Sequence, residues 1–177
     1  NVKQVYKGGK LVAENGKMLH QKEKNTDWST EIKERVFHSF HRVPITVEEL
    51  QLKETTGTHQ RVIDMVAHEL ITKERIEEWK ELPGVAPGVD ISRDIVKLAA
   101  IERHKNTGHV GLGFLGKYGL KKGAVATSIG HDSHNLVIAG VTDEDMVLAG
   151  NRVIENGGGL AIALEGKVLA DLPLPIG

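Results

Sequence analysis

Five polar residues stand together between two apolar runs: His131, Asp132, Ser133, His134 and Asn135 separate residues 124–129 from residues 136–141. On a turn, His131 and His134 can face a common space and carry protons, donate hydrogen bonds to a ligand, or supply two ligands of a metal. An equally open reading is a tight strand-to-strand connection in which Asp132 and Asn135 bond their own backbone. A metal would require a third and a fourth ligand, and Glu102, His104 and His109 are nearest in sequence. His-x-x-His spacing recurs by chance, so no self-contained metal site is expected.

Glu102-Arg103-His104 closes the apolar run 95–101. It can place a guanidinium and an imidazole at the rim of a cleft; the plainer reading is a salt-bridged strand end. Gly111, Gly113 and Gly116 spell the string G-x-G-x-x-G, but a polar segment precedes them and Gly119 interrupts the stretch beyond. A dinucleotide site demands a strand before and a helix after, so close backbone packing or a loop folding over a ligand is expected instead. His38 and His41, three apart, are expected on opposite faces of a strand. Trp28 and Trp79, in polar surroundings, are expected to be packing anchors at a domain contact.

These residues need elements to hold them. Residues 2–6 and 10–13 flank Gly8-Gly9 and predict a hairpin, which needs cover from elsewhere because two strands alone are marginal. The polar stretch from His20 to Glu31 predicts a linker. Residues 35–42 (RVFHSFHR), aromatic and β-branched, predict a strand ended by Pro44. Thr46 and Glu49 have capping-box spacing and predict a short helix. Residues 58–70 predict a strand, 95–104 a buried strand, and 124–129 and 136–141 two more. Residues 143–156 predict the clearest helix, with Thr142 as N-cap, Asp143, Glu144 and Asp145 on the positive end of the dipole, and Gly157 closing it. Residues 159–171 predict a hairpin turning at Glu165-Gly166. Strands and helices mix without a βαβ rhythm, so the fold class is α+β: a mixed sheet with a few helices, preceded by a short β-hairpin.

At 177 residues, with 40% hydrophobic and 27% charged residues, the chain can bury a core. Lys+Arg 23 against Asp+Glu 24 leaves a net charge of −1 and argues against nucleic acid as partner. The absence of cysteine removes disulfides, thiolate nucleophiles and Cys-zinc sites. No apolar run reaches the roughly 20 residues of a membrane helix, and no signal peptide is legible. A cytoplasmic chain without membrane contact is expected. It begins at Asn1 and ends at Pro175-Ile176-Gly177, which reads as excision from something longer.

Together, IERH at 101–104, the glycine segment, LKKGAVATSIGHDSHN at 120–135, LVIAGVTDEDMVLAGN at 136–151 and GKVLADLPLPIG at 166–177 resemble the C-terminal region of bacterial-type adenine deaminases of the amidohydrolase superfamily. The resemblance is strongest over 93–177 and reaches weakly over 1–92. It implies three parts: 1–20 as a remnant of the amidohydrolase β-domain, 21–31 as linker, and 32–177 as the adenine deaminase C-terminal domain, truncated at its end. It further implies a hydrolase of purine salvage that turns adenine and water into hypoxanthine and ammonia, with a divalent pair, manganese or iron, activating water for attack at C6. The family's ligands lie in an upstream barrel and include a His-x-His motif that this chain lacks, so no metal and no activity are expected in the chain alone. The family's signature maps onto Ser128, His131, Asp132, Ser133, His134 and Asn135, with Gly130 where alanine is more usual. The resemblance implies that this loop edges the active-site mouth, with Arg103 and His104 nearby. Adenine and the upstream barrel are the implied partners, and a homo-oligomer is compatible with it. Two other readings stand beside this one: a structural or oligomerisation module whose loop serves only the fold, and an independent hydrolase using His131, Asp132 and His134 on a metal.

Overall fold

The computed structural model describes residues 2–19, 28–37, 39–52 and 57–177. The chain divides into two compact units, Asn1–Lys33 and Glu34–Gly177.

In the first unit, β1 (Gln4–Lys7), β2 (Lys10–Glu14) and β3 (Lys17–Met18) form an antiparallel sheet in that order. Gly8 and Gly9 both have positive φ, as do Asn15 and Gly16, which gives each two-residue connection the backbone of a type I′ turn. The expected hairpin is present and gains a short third strand. None of its strand residues is buried, and Trp28, expected as a packing anchor, is 57% exposed. The stretch read as a linker lies outside the described residues through residue 27, and so does His38.

The strand expected over 35–42 is a correction. Helix α1 (Thr30–Phe37) occupies its first part, and residues 39–46 are irregular. The Ser29 hydroxyl accepts the Ile32 N–H at 3.3 Å, Glu31 sits in the first turn and Arg35 in the last, so good helix formers and end charges outweigh the aromatic composition. Helix α2 (Val47–Leu50) carries the predicted capping box, with the Thr46 N–H donating to the Glu49 carboxylate at 3.0 Å.

The second unit is built on one mixed sheet made of β4 (His59–Met65), β5 (Thr72–Glu78), β6 (Ile95–Ile101), β7 (Val110–Gly116), β8 (Ala124–Thr127), β9 (Leu136–Gly140), β10 (Gly159–Leu164) and β11 (Lys167–Pro173). Its order is β11-β10-β8-β9-β6-β7-β4-β5, antiparallel throughout except for β4 beside β7. With α1, α2 and α3 (Asp143–Glu155), the fold is α+β, as the sequence predicts. The β5 strand is not expected from the sequence, because TKERIEE reads as a solvated charge run. Its charges pair across and along the edge instead: Arg75 reaches Asp64 at 2.9 Å, and Glu77 joins Arg75 and Arg93, each at 2.7 Å. The glycine segment is strand rather than loop. Close packing holds there only at Gly116, where a Cβ would stand 2.1 Å from an Asp64 carboxylate oxygen.

One side of the sheet is roofed by α3. A single ladder row, Ala161, Ala126, Ile138, Ala99 and Leu112, runs across five strands on that side, beneath α3 at β10, β8 and β9 and in one cluster with Ile45 and Leu50. Gly150 lets the helix sit close, since a Cβ there would meet Ile138 at 2.6 Å and Ile45 at 2.8 Å. Thr142 caps α3 as predicted, its hydroxyl accepting the Asp145 N–H. Asp145 in turn accepts the N–H groups of Glu165 and Gly166, both at positive φ, and so ties the helix start to the predicted β10–β11 turn. On the other side, Ala86 and Val89 pack on Val96 and Ala139 and cover part of the sheet. Trp79 packs edge-on against Phe114, centroids 5.7 Å apart.

Candidate functional site

The loop 128–135 joins β8 to β9 at one end of the sheet, beside the loop 102–109 that joins β6 to β7. Its base is fastened by Ser128, which is fully buried. The Ser128 N–H donates to the Gly159 carbonyl at 2.9 Å, and its hydroxyl accepts the Gly159 N–H at 2.8 Å. Ser128 therefore bonds the β10 backbone at the base of the loop. Above it the chain coils tightly: His134 N–H donates to Gly130 O and Ser133 N–H to His131 O, with Asp132 and His134 both in the left-handed region. That conformation is costly for side chains other than Gly, Asn and Asp, so the neighbours must hold it.

Arg103 is the main holder. Its guanidinium lies 4.9 Å over the Phe40 ring, and the residue is 4% exposed. Nε donates to His134 O at 2.6 Å, Nη2 to Gly177 O at 2.9 Å and Nη1 to Ser39 O at 3.4 Å. Burial pushes its pKa down, and no carboxylate side chain pairs with it among the described residues. His104 adds a second clamp, its Nε2 lying 2.8 Å from Ser133 O. A carbonyl can only accept, so Nε2 carries the proton. Glu102 completes the end by accepting the backbone N–H groups of His104, Lys105 and Thr107 and the Thr107 hydroxyl. These bonds, the one from the Thr107 backbone first, hold its carboxyl down to about 2. The salt-bridged strand end is thus corrected: among the described residues, Glu102 accepts backbone N–H groups and the Thr107 hydroxyl and Arg103 donates to backbone carbonyls, rather than pairing with each other.

The geometry gathers Arg103, His104, Ser133 and His134, and sets His131 and Asp132 beyond them in solvent. Their side chains are 96% and 90% exposed, with Nδ1 and Oδ1 3.2 Å apart. Asn135 is half-buried. Beside His134 opens an apolar groove of about 420 Å³ walled by Phe37, Ile129, Leu174 and Ile176. What the arrangement offers is a hydrogen-bonded backbone platform carrying exposed imidazole, carboxylate and hydroxyl groups. His41, expected on the opposite face of a strand from His38, is exposed in an irregular segment, and its N–H donates to Arg103 O at 2.7 Å. No group of three His, Asp or Glu side chains that could hold a metal occurs among the described residues, and Glu102, the nearest acidic candidate, is occupied by backbone N–H groups and the Thr107 hydroxyl. The described residues do not fit a metal pair.

A second polar feature lies away from this loop. Lys97, in the middle of β6, is fully buried and its Nζ donates to Asp143 at 2.7 Å. The pair forms the floor of a cavity of about 350 Å³ that Trp79, Gln51 and Glu81 also line. Sequence reasoning missed it. Alternation along IVKLAAI puts Lys97 on the same side as Ile95 and Ala99, which was the available signal.

Likeness to known proteins adds a family. The adenine deaminase C-terminal domain profile matches residues 69–177. The adenine deaminase of Lysinibacillus sphaericus is 40% identical over 99% of the chain, adenine deaminase 1 of Carboxydothermus hydrogenoformans 41% over 99%, and the adenine deaminase of Kosmotoga olearia 42% over 99%. The chain spans 29%, 28% and 29% of the lengths of these curated relatives. With its loop, its platform and more than half its length matched, the chain belongs to the adenine deaminase C-terminal domain family.

Proposed function

We propose that the chain serves as the C-terminal domain of a cytoplasmic adenine deaminase of purine salvage, whose catalytic half lies upstream in an amidohydrolase barrel. In that reading a divalent pair, manganese or iron, belongs to the barrel and supplies the hydroxide for attack at adenine C6. The domain arrangement that goes with it is 1–20 as β-domain remnant, 21–31 as linker and 32–177 as the C-terminal domain.

The observation that carries the reading is the loop itself. A surface loop that only connects two strands does not need a buried arginine, a histidine and a buried serine to fix its backbone, whereas a loop that presents side chains to a ligand does. Imidazole gives and takes protons near neutral pH, so His131 and His134 suit the proton movements that accompany loss of ammonia, and Asp132 and Asn135 suit hydrogen bonds to a purine edge. Arg103, His104 and Ser128 act as positioning residues. Homo-oligomerisation is compatible with this arrangement.

The test follows adenine loss with added Mn²⁺ or Fe²⁺ in two proteins: the 177-residue chain, and a polypeptide that extends it upstream to the relatives' length. Turnover is expected only from the longer one, and His131→Ala there is expected to lower kcat roughly a hundredfold with an unchanged Tm. Unchanged kcat would assign the loop to the fold alone; metal-dependent turnover by the shorter chain would place catalysis in it.

A further inference from the structure

The sheet of the second unit has a bare apolar side. Cross-strand register places Leu172, Leu160, Thr127, Val137, Ala100 and Gly111 in one row on the face opposite α3. The next row begins Ala170, Ile162 and Val125, after which Ala139 and Leu98 pass beneath the cluster of Ala86 and Val89. Neither row contains a charged residue. Leu172 is 57% and Ile162 43% exposed, and Ala100 and Gly111 are exposed as well. An antiparallel sheet that faces water on one side normally turns polar residues to it. A row of this composition is one that expects a cover.

We infer that this face is the seat of the upstream half of the same polypeptide, which presents an uncharged apolar surface to it. The inference rests on the reading that an upstream half exists. Two quantities select that occupant over a second copy of the chain. Five strand spacings of about 4.8 Å and a height of about 14 Å give a bare area of roughly 300 Å². A stable complex between free partners buries about 800 Å² on each, so this face alone is too small to hold an untethered dimer. A covalently joined partner meets no such threshold, because the tether already supplies a high effective concentration. More than two thirds of each relative's length lies outside the region this chain matches, which is ample material for such a partner.

Hydroxyl-radical footprinting of the longer polypeptide tests this without reference to activity. Side-chain reactivities are compared with those of the free amino acids. Leu172 and Ile162 are expected to be protected at least tenfold, and Ile162→Glu is expected to restore the reactivity of Leu172 by a similar factor. Unprotected Leu172 and Ile162 overturn the inference. Protection that fades on dilution, with a dimer-to-monomer shift in sedimentation, overturns it in favour of a second copy. Because the readout is protection rather than adenine turnover, an inactive polypeptide with a protected face would count against the deaminase reading alone.

Discussion

Adjacent rows of the same strands meet opposite fates. Ala161, Ala126, Ile138, Ala99 and Leu112 pack in the cluster closed by α3, Ile45 and Leu50, while one residue away on each strand Leu160, Thr127 and Val137 are only half-buried and Ala100 and Gly111 are exposed. Neither row carries a charge. Alternation in a sequence separates polar from apolar positions, and here it separates almost nothing, because both faces ask for burial and the second receives it only in part within the described chain. The difference is in what approaches: small residues, with Gly150 and Gly140 as close contacts, admit a helix on one side, and no described element of this unit does the same for the row on the other.

The sharpest way to break the covered face is Lys97→Ala. It leaves Asp143 without its partner at the start of α3 and should cost about 3–5 kcal/mol, read as a lowered urea midpoint. Replacing both members, as Lys97→Met with Asp143→Leu, should recover most of that loss; no recovery would mean that the pair does more than neutralise itself. A paired comparison then isolates the two rows. Ile138→Ala should cost about 3 kcal/mol, while Ala100→Ser, in the bare row, should stay within about 0.5 kcal/mol in the chain as it stands. Equal costs would mean that the two faces are not distinct. The smallest effect concerns acid. Glu102 has a folded pKa of about 2, below its ordinary 4.5, so the stability it contributes is fully present above pH 4.5 and is lost as pH falls toward 2. A ¹³C carboxyl titration should place its midpoint near 2, and a midpoint near 4.5 would show the 102–109 loop open in solution.

Features written in neighbouring residues were legible: the Thr46–Glu49 capping box, the Thr142 cap of α3, the Glu165-Gly166 turn and the apolar run of β6. Those that depend on distant partners were not. The β5 strand is charged because it is an edge and pairs with β4, and β7 is a strand despite its glycines because β6 and β4 flank it. Residues 30–37 are helical because local caps and helix formers prevailed over aromatic composition. At the site, the exposure of His131 and Asp132 follows from a loop between two strands, but the inward turn of Ser128 and the clamp by Arg103 join positions 31 residues apart. Local spacing contains no such information.

The two edges of the sheet add a consequence for association. At one end β5 presents Lys73, Glu74, Arg75, Glu77 and Glu78; at the other, β11 carries Pro173, which lacks an N–H, and pairs through a bulge between Ile162 and Ala163. Charge, proline and bulge are the devices by which natural sheets refuse an added strand. Runaway growth by edge-to-edge pairing is thereby discouraged even though an apolar surface stands open, and the route left to a partner is stacking, which ends after one layer.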